Sequence, residues 1–388
     1  MEGKTASPLS FSWKGAAARV NWDELIKKWK KENQPLGFLS PPGPDETKQL
    51  RAALKPWKGK IERYCLIGIG GSALPAKSLL SFINPKPIKP RCWVLDTIDP
   101  ATIREHPALQ TDAMAKTLFH IVSKSGATME VELLRRRVLQ EIESRQIQNW
   151  KERFLVTTTP APGNLLQQWA ARNRIPILPL DENIGGRFSS FSAVTYAAAE
   201  FSGISLDDLR EGARWALAAK EAASRYAELL LQEIKRKRTV LGFFLYGDCL
   251  TELGQLLLQL FAESLGKEGR GLTPTTFIGT RDQHSLLQLY LGGPADKMAT
   301  IIWLDQKKDQ PLGRALWASA QGVAQSLKTR RVPVFQIQIH QNDAKTYGCL
   351  VQFFHLATIA LGHLMGVNPF DQPMVDLQKK YTQELLGR

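Results

Sequence analysis

The sequence predicts an α/β protein that consists of two doubly wound parallel sheets and a C-terminal helical extension. Short apolar runs alternate with longer helical patterns, this alternation occurs twice in succession, and the last part of the chain is helical. Alternating strand and helix signals are typical of parallel sheets covered by helices. A chain of 388 residues also favours about two domains over one. We expect a first domain with the N-terminal segment in residues 1–205, a second domain in 206–340 and the extension in 341–388.

The first series contains five short apolar runs that suit buried strands. They lie at 64–69, 92–96, 118–122, 154–158 and 175–180. Helical periodicity follows at 74–82, 129–147, 165–174 and 191–201. The series ends near residue 205 or along the polar helical stretch 206–235.

The second series begins with an apolar run at 240–246, which is followed by a helical pattern at 252–265. Further strands are expected at 299–304 and 334–339. An amphipathic pattern over 346–365 and a final short helix complete the chain.

The charge and the cysteines narrow the class of protein. The chain has 51 basic and 37 acidic residues, a formal charge of +14 that could attract anions. Its densest basic cluster, 235–238, is short and is expected to be a solvated helix end, so we expect no nucleic-acid partner. The four cysteines are scattered without a CxxC pair, which favours a reducing compartment and argues against a zinc site.

The ends of the chain and its apolar stretches predict a cytoplasmic protein without a membrane partner. The N-terminus lacks the order of a signal peptide. The longest apolar candidate, 350–367, is interrupted by Gln352, His355 and His363, whereas a span needs about 20 apolar residues.

A small-residue turn follows the first strand, over 65–73. Glycines there allow backbone N–H groups to approach an anion, and the following helix adds a favourable dipole. Gly68, Gly70 and Ala73 also match a dinucleotide fingerprint, for which Asp96 could bind a ribose. The turn alone therefore leaves two hypotheses, a phosphate site and a dinucleotide site.

A second turn, over 121–128, also connects a strand to a helix and is rich in hydroxyl groups. Ser123, Ser125 and Thr128 surround Gly126. A terminal phosphate dianion requires several hydrogen-bond donors, whereas a bridging pyrophosphate needs mostly backbone groups. The second turn therefore favours a phosphate site, although each hydroxyl alone could be a helix cap.

The helical pattern after 250 carries a polar stripe of Glu252, Gln255, Gln259 and Glu263, at spacings of three and four residues. Such a stripe is usually a solvated face. Gln259 and Glu263, however, have apolar neighbours, and a partly desolvated carboxylate suits proton transfer.

Together these motifs resemble the phosphoglucose isomerase family in its shorter bacterial form, from about residue 60 to the end of the chain. The matching segments are 70–72, 123–128, 185–189, 262–267, 279–285 and 368–373. The family's fold is two sugar-isomerase (SIS) domains with a C-terminal helical extension. The resemblance implies interconversion of glucose 6-phosphate and fructose 6-phosphate without cofactor or metal.

The resemblance also implies roles for individual residues. Glu263 would be the general base, Arg187 would stabilise the enediolate oxyanion, His284 would assist ring opening, and Lys379 would be the partner of His284. The implied substrate-binding residues are Gly71, Ser72, Ser123, Lys124, Ser125, Thr128, Gly186, Gln259 and Gln372. In the family the histidine comes from a neighbouring subunit, so a homodimer is expected.

One position departs from the family pattern, and three alternative functions remain open. Val131 stands where a further phosphate-loop threonine is usual, so one hydroxyl contact is expected to be missing. The alternatives are an isomerase that also accepts other sugar phosphates such as mannose 6-phosphate, a sugar-phosphate sensor without turnover, and a nicotinamide-dependent dehydrogenase.

Overall fold

The computed structural model describes residues 7–13, 20–83, 90–305 and 310–387. Its strands are β1 Leu9–Phe11, β2 Arg63–Ile67, β3 Arg91–Leu95, β4 Thr117–Val122, β5 Phe154–Thr158, β6 Ile177–Pro179, β7 Val240–Tyr246, β8 Thr273–Gly279, β9 Lys297–Leu304 and β10 Val334–Ile339. Its helices are α1 Trp22–Lys31, α2 Pro44–Leu54, α3 Leu74–Ile83, α4 Pro100–Glu105, α5 Thr111–Met114, α6 Met129–Ser144, α7 Leu165–Asn173, α8 Ala193–Phe201, α9 Leu206–Ala218, α10 Lys220–Lys235, α11 Thr251–Leu265, α12 Leu287–Gly292, α13 Pro311–Thr329, α14 Ala344–Met365 and α15 Val375–Leu385.

The first sheet has the strand order β3-β2-β4-β5-β6, and all its pairs are parallel. Every residue of β4 and β5 is buried, as expected for central strands covered by helices on both faces. The five strands expected in this part of the chain are present. The central strands β4 and β5 read as continuous apolar stretches because they are buried on both faces, and the edge strands β3 and β6 still carry short apolar runs.

The second sheet has the order β1-β10-β9-β7-β8. Four strands are parallel, whereas β1 pairs antiparallel with β10, with Leu9 opposite Ile339. A strand from the N-terminal segment therefore completes the second sheet and not the first. The division at residue 205 stays a prediction, but it separates β1 from the sheet to which β1 belongs.

Strand β8 and helix α13 were not among the expected elements. In β8 the sequence TPTTFIG has few apolar residues and only Phe277 and Gly279 are buried, because β8 is an edge strand. An edge strand lacks the continuous apolar run by which the central strands are recognised.

Helix α14 lies in the core of the protein and packs against α9 and α10. Its length and composition would allow it to cross a membrane, yet 89% of its most apolar window is buried inside the protein. The core helix of a globular protein has the same properties. Helix α15, by contrast, has no buried residue, so the C-terminal extension combines a core helix with an exposed one.

The loops that carry the motifs follow the carboxyl ends of parallel strands. The turn Gly70–Ser72 follows β2, residues 123–128 follow β4, and α11 begins after β7. Helix α11 packs against α3, the helix that follows the first turn. Loops from the two sheets meet there, which is the usual position of ligand sites in open α/β sheets.

Candidate active site

Arg187 is the central charged residue of the candidate site and lies in the 3-10 segment Gly186–Phe191. Only 3% of its side chain is exposed. Each of its five guanidinium hydrogens has an acceptor within hydrogen-bonding distance. The acceptors are Ser264 Oγ at 2.7 Å, Glu263 Oε2 at 3.3 Å, Gln372 Oε1 at 2.7 Å, the Pro369 carbonyl at 2.6 Å and the Asp371 carbonyl at 3.0 Å.

Burial lowers the pKa of Arg187 from its ordinary value, and the Glu263 carboxylate opposes this shift. An arginine stays protonated even so, because the pKa of a guanidinium group in water is far above neutral pH. The site thus holds a positive charge in a fixed orientation, with little surrounding water to screen it.

Glu263 lies on α11, whose apolar face is buried and fixes the helix against the core. Its Oε2 accepts from Arg187, and its Oε1 accepts from Gln259 Nε2 at 3.1 Å. One-third of the Glu263 side chain is exposed. The carboxylate is therefore both oriented by two donors and reachable by a bound molecule. Gln259 Oε1 is buried without a hydrogen-bond partner.

The turn at Gly71 packs directly on the segment that carries Arg187. A Cβ atom at Gly71 would lie 2.3 Å from the carbonyl carbon of Gly186 and 2.7 Å from the Arg187 nitrogen. Ser189 Oγ donates to the Gly71 carbonyl at 2.7 Å. Gly71 is thus required for this close backbone approach. The half-buried Ser72 follows it at the end of the turn.

The hydroxyl-rich loop is built around Gly126, which has a φ of +68°. Ser123 Oγ lies 2.9 Å from Thr128 Oγ1 and accepts from the Gly126 nitrogen at 3.1 Å. Ser125 is exposed, and its Oγ accepts from the Ala127 nitrogen at 3.3 Å. The three hydroxyl groups are thus held on one short loop, as a phosphate site requires.

Lys124 has a different environment from its neighbours on this loop. Its Nζ donates to the carbonyls of Glu182 and Ile184, at 2.9 and 2.7 Å. These bonds connect the hydroxyl-rich loop to the chain just before Gly186. Burial lowers the pKa of Lys124, and the carboxylates of Asp181 and Glu182 oppose the shift.

Val131 is 3% exposed and packs into the apolar core behind the loop. Its side chain therefore contributes to packing, and the expectation that one hydroxyl contact is absent at this position stays a prediction.

His284 and Lys379 are separate from this cluster. His284 is exposed in the turn Arg281–His284, after β8. Lys379 lies on the exposed α15 and pairs with Asp376 at 2.8 Å. Among the described residues, no hydrogen bond or ion pair joins either side chain to Glu263 or Arg187. One chain therefore brings together Arg187, Glu263, Gln259 and Gln372 but not these two.

The residues of the dinucleotide fingerprint have other partners. Asp96 forms an ion pair with Lys77 at 3.1 Å, and Lys77 also lies 3.7 Å from Glu252. Asp96 is thus paired with a lysine of α3, which argues against a role in binding a ribose. The described ranges contain no group of three or more His, Cys, Asp or Glu side chains that could hold a metal ion.

Sequence reasoning missed three residues that position the site. Ser264 accepts from Arg187, and Lys267 forms an ion pair with Asp371 at 2.7 Å, next to the carbonyls that bind Arg187. Both lie in the segment 262–267 that the sequence had singled out. The third is Asn164, the N-cap of α7, whose Oδ1 would lie 1.9 Å from a Cβ at Gly126. An asparagine just before a helical pattern was the available signal.

Comparisons with known proteins bear on the family and the fold of the chain. A sequence profile of the phosphoglucose isomerase family matches residues 48–226. A glucose-6-phosphate isomerase of Thermus thermophilus is 31% identical, over 98% of this chain and 97% of the relative. That of Rubrobacter xylanophilus is 33% identical, over 83% of this chain and 82% of the relative.

Solved structures show the same architecture. A hypothetical protein from Thermus thermophilus superimposes with a TM-score of 0.83 and 29% identity, over 94% of both chains. A glucose-6-phosphate isomerase from Chlamydia trachomatis superimposes with a TM-score of 0.76 and 22% identity, over 88% of this chain and 73% of the other. The second similarity bears on the fold alone.

Proposed function

The chain belongs to the phosphoglucose isomerase family, and we propose that Glu263 and Arg187 are the central catalytic residues with which it interconverts glucose 6-phosphate and fructose 6-phosphate. The observation that carries this proposal is the buried Arg187 beside the oriented, partly exposed Glu263 carboxylate. A base next to a fixed cation is what proton transfer beside a carbonyl requires.

In the proposed mechanism Glu263 removes the proton from C2 of the open aldose, and a cis-enediolate forms. The same carboxyl group returns the proton to C1, while the hydroxyl proton of O2 is transferred to O1, so that C1 becomes an alcohol and C2 a ketone. The negative charge that develops on the enediolate oxygen is stabilised by Arg187. The reaction is internally balanced because the oxidation of C2 equals the reduction of C1, so no external oxidant or reductant is consumed.

Gln372 is the Arg187 partner that a substrate can replace most easily. It is exposed, whereas Ser264 and Pro369 are buried. All five donors of Arg187 are already used, so a new hydrogen bond to an oxyanion requires one acceptor to leave. We propose that Gln372 yields its bond to Arg187 when substrate binds and then contacts the sugar.

We propose that the phosphate group binds between the two turns that follow β2 and β4. The hydroxyl groups of Ser72, Ser123, Ser125 and Thr128 are the donors that suit its oxygens, with the backbone of Gly71 and Gly186 beside them. Lys124 contributes mainly by fixing the loop, because its Nζ is bound to two carbonyls.

The first test follows isomerisation of fructose 6-phosphate in D2O by NMR, with Glu263→Gln and Glu252→Gln side by side. Both glutamates lie on α11 and receive the same substitution. Glu263→Gln is expected to lower turnover and deuterium entry at C2 by about 10²- to 10⁴-fold, the usual contribution of a general base. Glu252→Gln is expected to stay close to wild type. Comparable rates for the two variants would refute the role of Glu263.

We further propose that the protein is a homodimer in which His284 completes the site of the partner. In the single chain His284 is exposed and Lys379 lies on a helix without a buried residue. The large exposed apolar residues at that end of the chain are Met374, Val375, Leu377, Tyr381, Leu385 and Leu386. Such a patch is typical of an interface.

Mixing two inactive variants tests this arrangement. If His284 acts across the dimer, Glu263→Gln and His284→Asn chains should restore about a quarter of wild-type activity, because half of the dimers are mixed and each has one intact site. Mixing Glu263→Gln with Arg187→Lys serves as the control and should restore nothing, because both residues come from one chain. No recovery in the first mixture, or a fully active monomer in sedimentation, would contradict the proposal.

We propose that the protein is located in the cytoplasm. All four cysteines are free, and Cys65 and Cys349 are buried. Reduced thiols are typical of a reducing compartment. Thiol titration of the unreduced, denatured protein should find four thiols per chain, and isomerase activity should fractionate with the cytosol. Disulfides in freshly isolated protein would count against this location.

A further inference from the structure

The first sheet has a second concave surface at the edge opposite the candidate active site. It is a cleft of about 780 Å³ near the start of β5 and β6, lined in part by residues from the turn before β2. The hydroxyl-rich loop lies at the other ends of these strands. The volume is within the range of small-molecule sites, roughly 300–1,000 Å³.

This cleft, which we call the basic cleft, is lined by five cationic side chains and one carboxylate. They are Lys60, Lys151, Arg153, Arg172, Arg174 and Glu152. None of the five cations forms an ion pair within the described part of the chain, whereas many other arginines do, for example Arg137 and Arg145 with Glu141. The cleft therefore concentrates unneutralised positive charge in a concave site, which focuses the field on an entering anion.

The side chain of Arg153 indicates that the positive charge of the basic cleft lacks an anionic partner. Its Nε is buried and has no hydrogen-bond partner. Buried donors in folded proteins are nearly always satisfied, so an orphaned guanidinium nitrogen points to a missing acceptor. Arg153 also lines the cleft, where an anion would supply acceptors to its guanidinium group, and arginine binds phosphate oxygens particularly well.

The remaining lining consists of the polar Asn173 and of an apolar wall formed by Pro56, Trp57, Ile61 and Pro176. Trp57 is held in place by a bond from its Nε1 to the Glu152 carbonyl at 2.7 Å. A cleft of this size that combines an apolar wall with five cations suits a compact molecule with several phosphates and an organic part. A nucleic-acid duplex, by contrast, presents its phosphates over a surface far wider than this cleft.

We propose that the basic cleft binds a polyphosphorylated small molecule such as a nucleoside triphosphate. Multiple charge is needed because the five cations are spread over the cleft and a monophosphate reaches only part of them. This site is independent of the catalytic residues, so it does not depend on their assignment.

The test measures binding of ATP and AMP by calorimetry, without divalent metal and with saturating fructose 6-phosphate to occupy the catalytic site. We expect ATP to bind at least about tenfold more tightly than AMP, and binding to weaken as salt rises. Equal affinities, or no heat with ATP at about 1 mM, would overturn the proposal. So would competition between ATP and the sugar phosphate, which would place ATP in the catalytic site.

A matched pair of variants assigns the binding to the cleft. Lys60→Gln/Arg174→Asn removes two exposed cations from the cleft, and Lys30→Gln/Lys237→Asn removes two exposed cations elsewhere. Arg174 and Lys237 both have positive φ values, 57° and 66°, which asparagine tolerates. ATP affinity should fall about tenfold in the first variant and stay unchanged in the second. Equal losses would indicate a general charge effect and overturn the proposal, as would tighter binding of a single-stranded oligonucleotide that displaces ATP.

Discussion

The two groups of candidate catalytic residues differ in how the fold holds them. Arg187 is 3% exposed and all its donors have partners, from Ser264 on α11 to the carbonyl of Pro369. His284 and Lys379 are exposed, and among the described residues Lys379 forms its ion pair with Asp376 on its own helix. Arg187 finds its hydrogen-bond partners within one chain, whereas one chain does not bring His284 and Lys379 to this cluster.

The two groups suit two different requirements of the proposed reaction, charge stabilisation and ring opening. Charge stabilisation needs a cation whose surroundings do not reorganise during the reaction, and burial with saturated hydrogen bonds provides this. Ring opening needs a proton carrier that reaches a sugar hydroxyl, and an exposed imidazole can be supplied by another subunit. The first group should therefore be sensitive in both stability and activity, and the second in activity alone.

The largest effect is expected for Arg187→Lys. Lysine has three donors in place of five, so at least two acceptors lose their bond, and each buried acceptor costs about 1–3 kcal/mol. We expect unfolding free energy to fall by about 3 kcal/mol and kcat to fall at least about 10²-fold. Urea denaturation and steady-state kinetics measure both. The control variant His284→Asn should lose activity while its unfolding free energy stays unchanged. A loss of stability in His284→Asn would contradict the distinction between the buried and the exposed group.

A smaller effect is expected from His120, a buried polar residue of the first sheet. Its ring nitrogens contact Tyr64 at 2.6 Å and Thr157 at 2.7 Å, and burial lowers its pKa to about 3. Between pH 6.5 and about 3 the unfolded chain binds a proton at His120 that the folded chain does not bind. The free energy of unfolding is therefore highest above pH 6.5 and decreases as the pH falls through this range.

The variant His120→Gln removes this proton uptake. Its unfolding free energy should depend less steeply on pH between 5 and 6, by up to about 1.4 kcal/mol per pH unit. Denaturation curves at several pH values measure the slope. An equal slope in wild type and His120→Gln would contradict the assignment.

The smallest of these effects is expected for Asn164→Ala. Asn164 caps α7 and donates to Thr158 Oγ1 at 2.7 Å and to the Thr159 carbonyl at 2.9 Å, beside the hydroxyl-rich loop. We expect a stability loss of about 1 kcal/mol, the usual value of an N-cap, together with a raised KM and little change in kcat. Ser205→Ala removes the N-cap of α9, away from the loop, and should leave KM unchanged. If both variants raise KM equally, the loop is not positioned by Asn164.

Strands with a clear apolar pattern were predictable, including the edge strands β3 and β6 of the first sheet, whereas β1 and β8 were not. The runs at 154–158 and 240–246 coincide with the buried strands β5 and β7, and the alternating run at 334–339 coincides with β10. Strands β1 and β8 lie at the edges of the second sheet. Their few buried side chains leave little signal in the sequence, so their position depends on which neighbour they pair with.

The candidate site also combines features that the sequence predicts with features that only the tertiary structure shows. The types and spacing of Gln259 and Glu263 on one helical face, and of three hydroxyl groups around Gly126, can be read directly because they depend on local geometry. The roles of Ser264, Lys267 and Asn164 depend on contacts that no local pattern specifies. Lys124 illustrates the difference, since its place in a phosphate loop suggested an anion partner and its Nζ is bound to two carbonyls instead.

By itself the sequence determined the fold class and the positions of most central strands and helices, because these follow from periodicity, turn chemistry and side-chain type, and it supplied the candidate site residues as predictions. The tertiary structure alone decided that β1 joins the second sheet, that the carbonyls of Pro369 and Asp371 bind an arginine more than 180 positions earlier, and that five cations form the basic cleft. These features arise when distant segments pack together, and the free energy that selects such packing comes from burial of the whole core rather than from any local pattern.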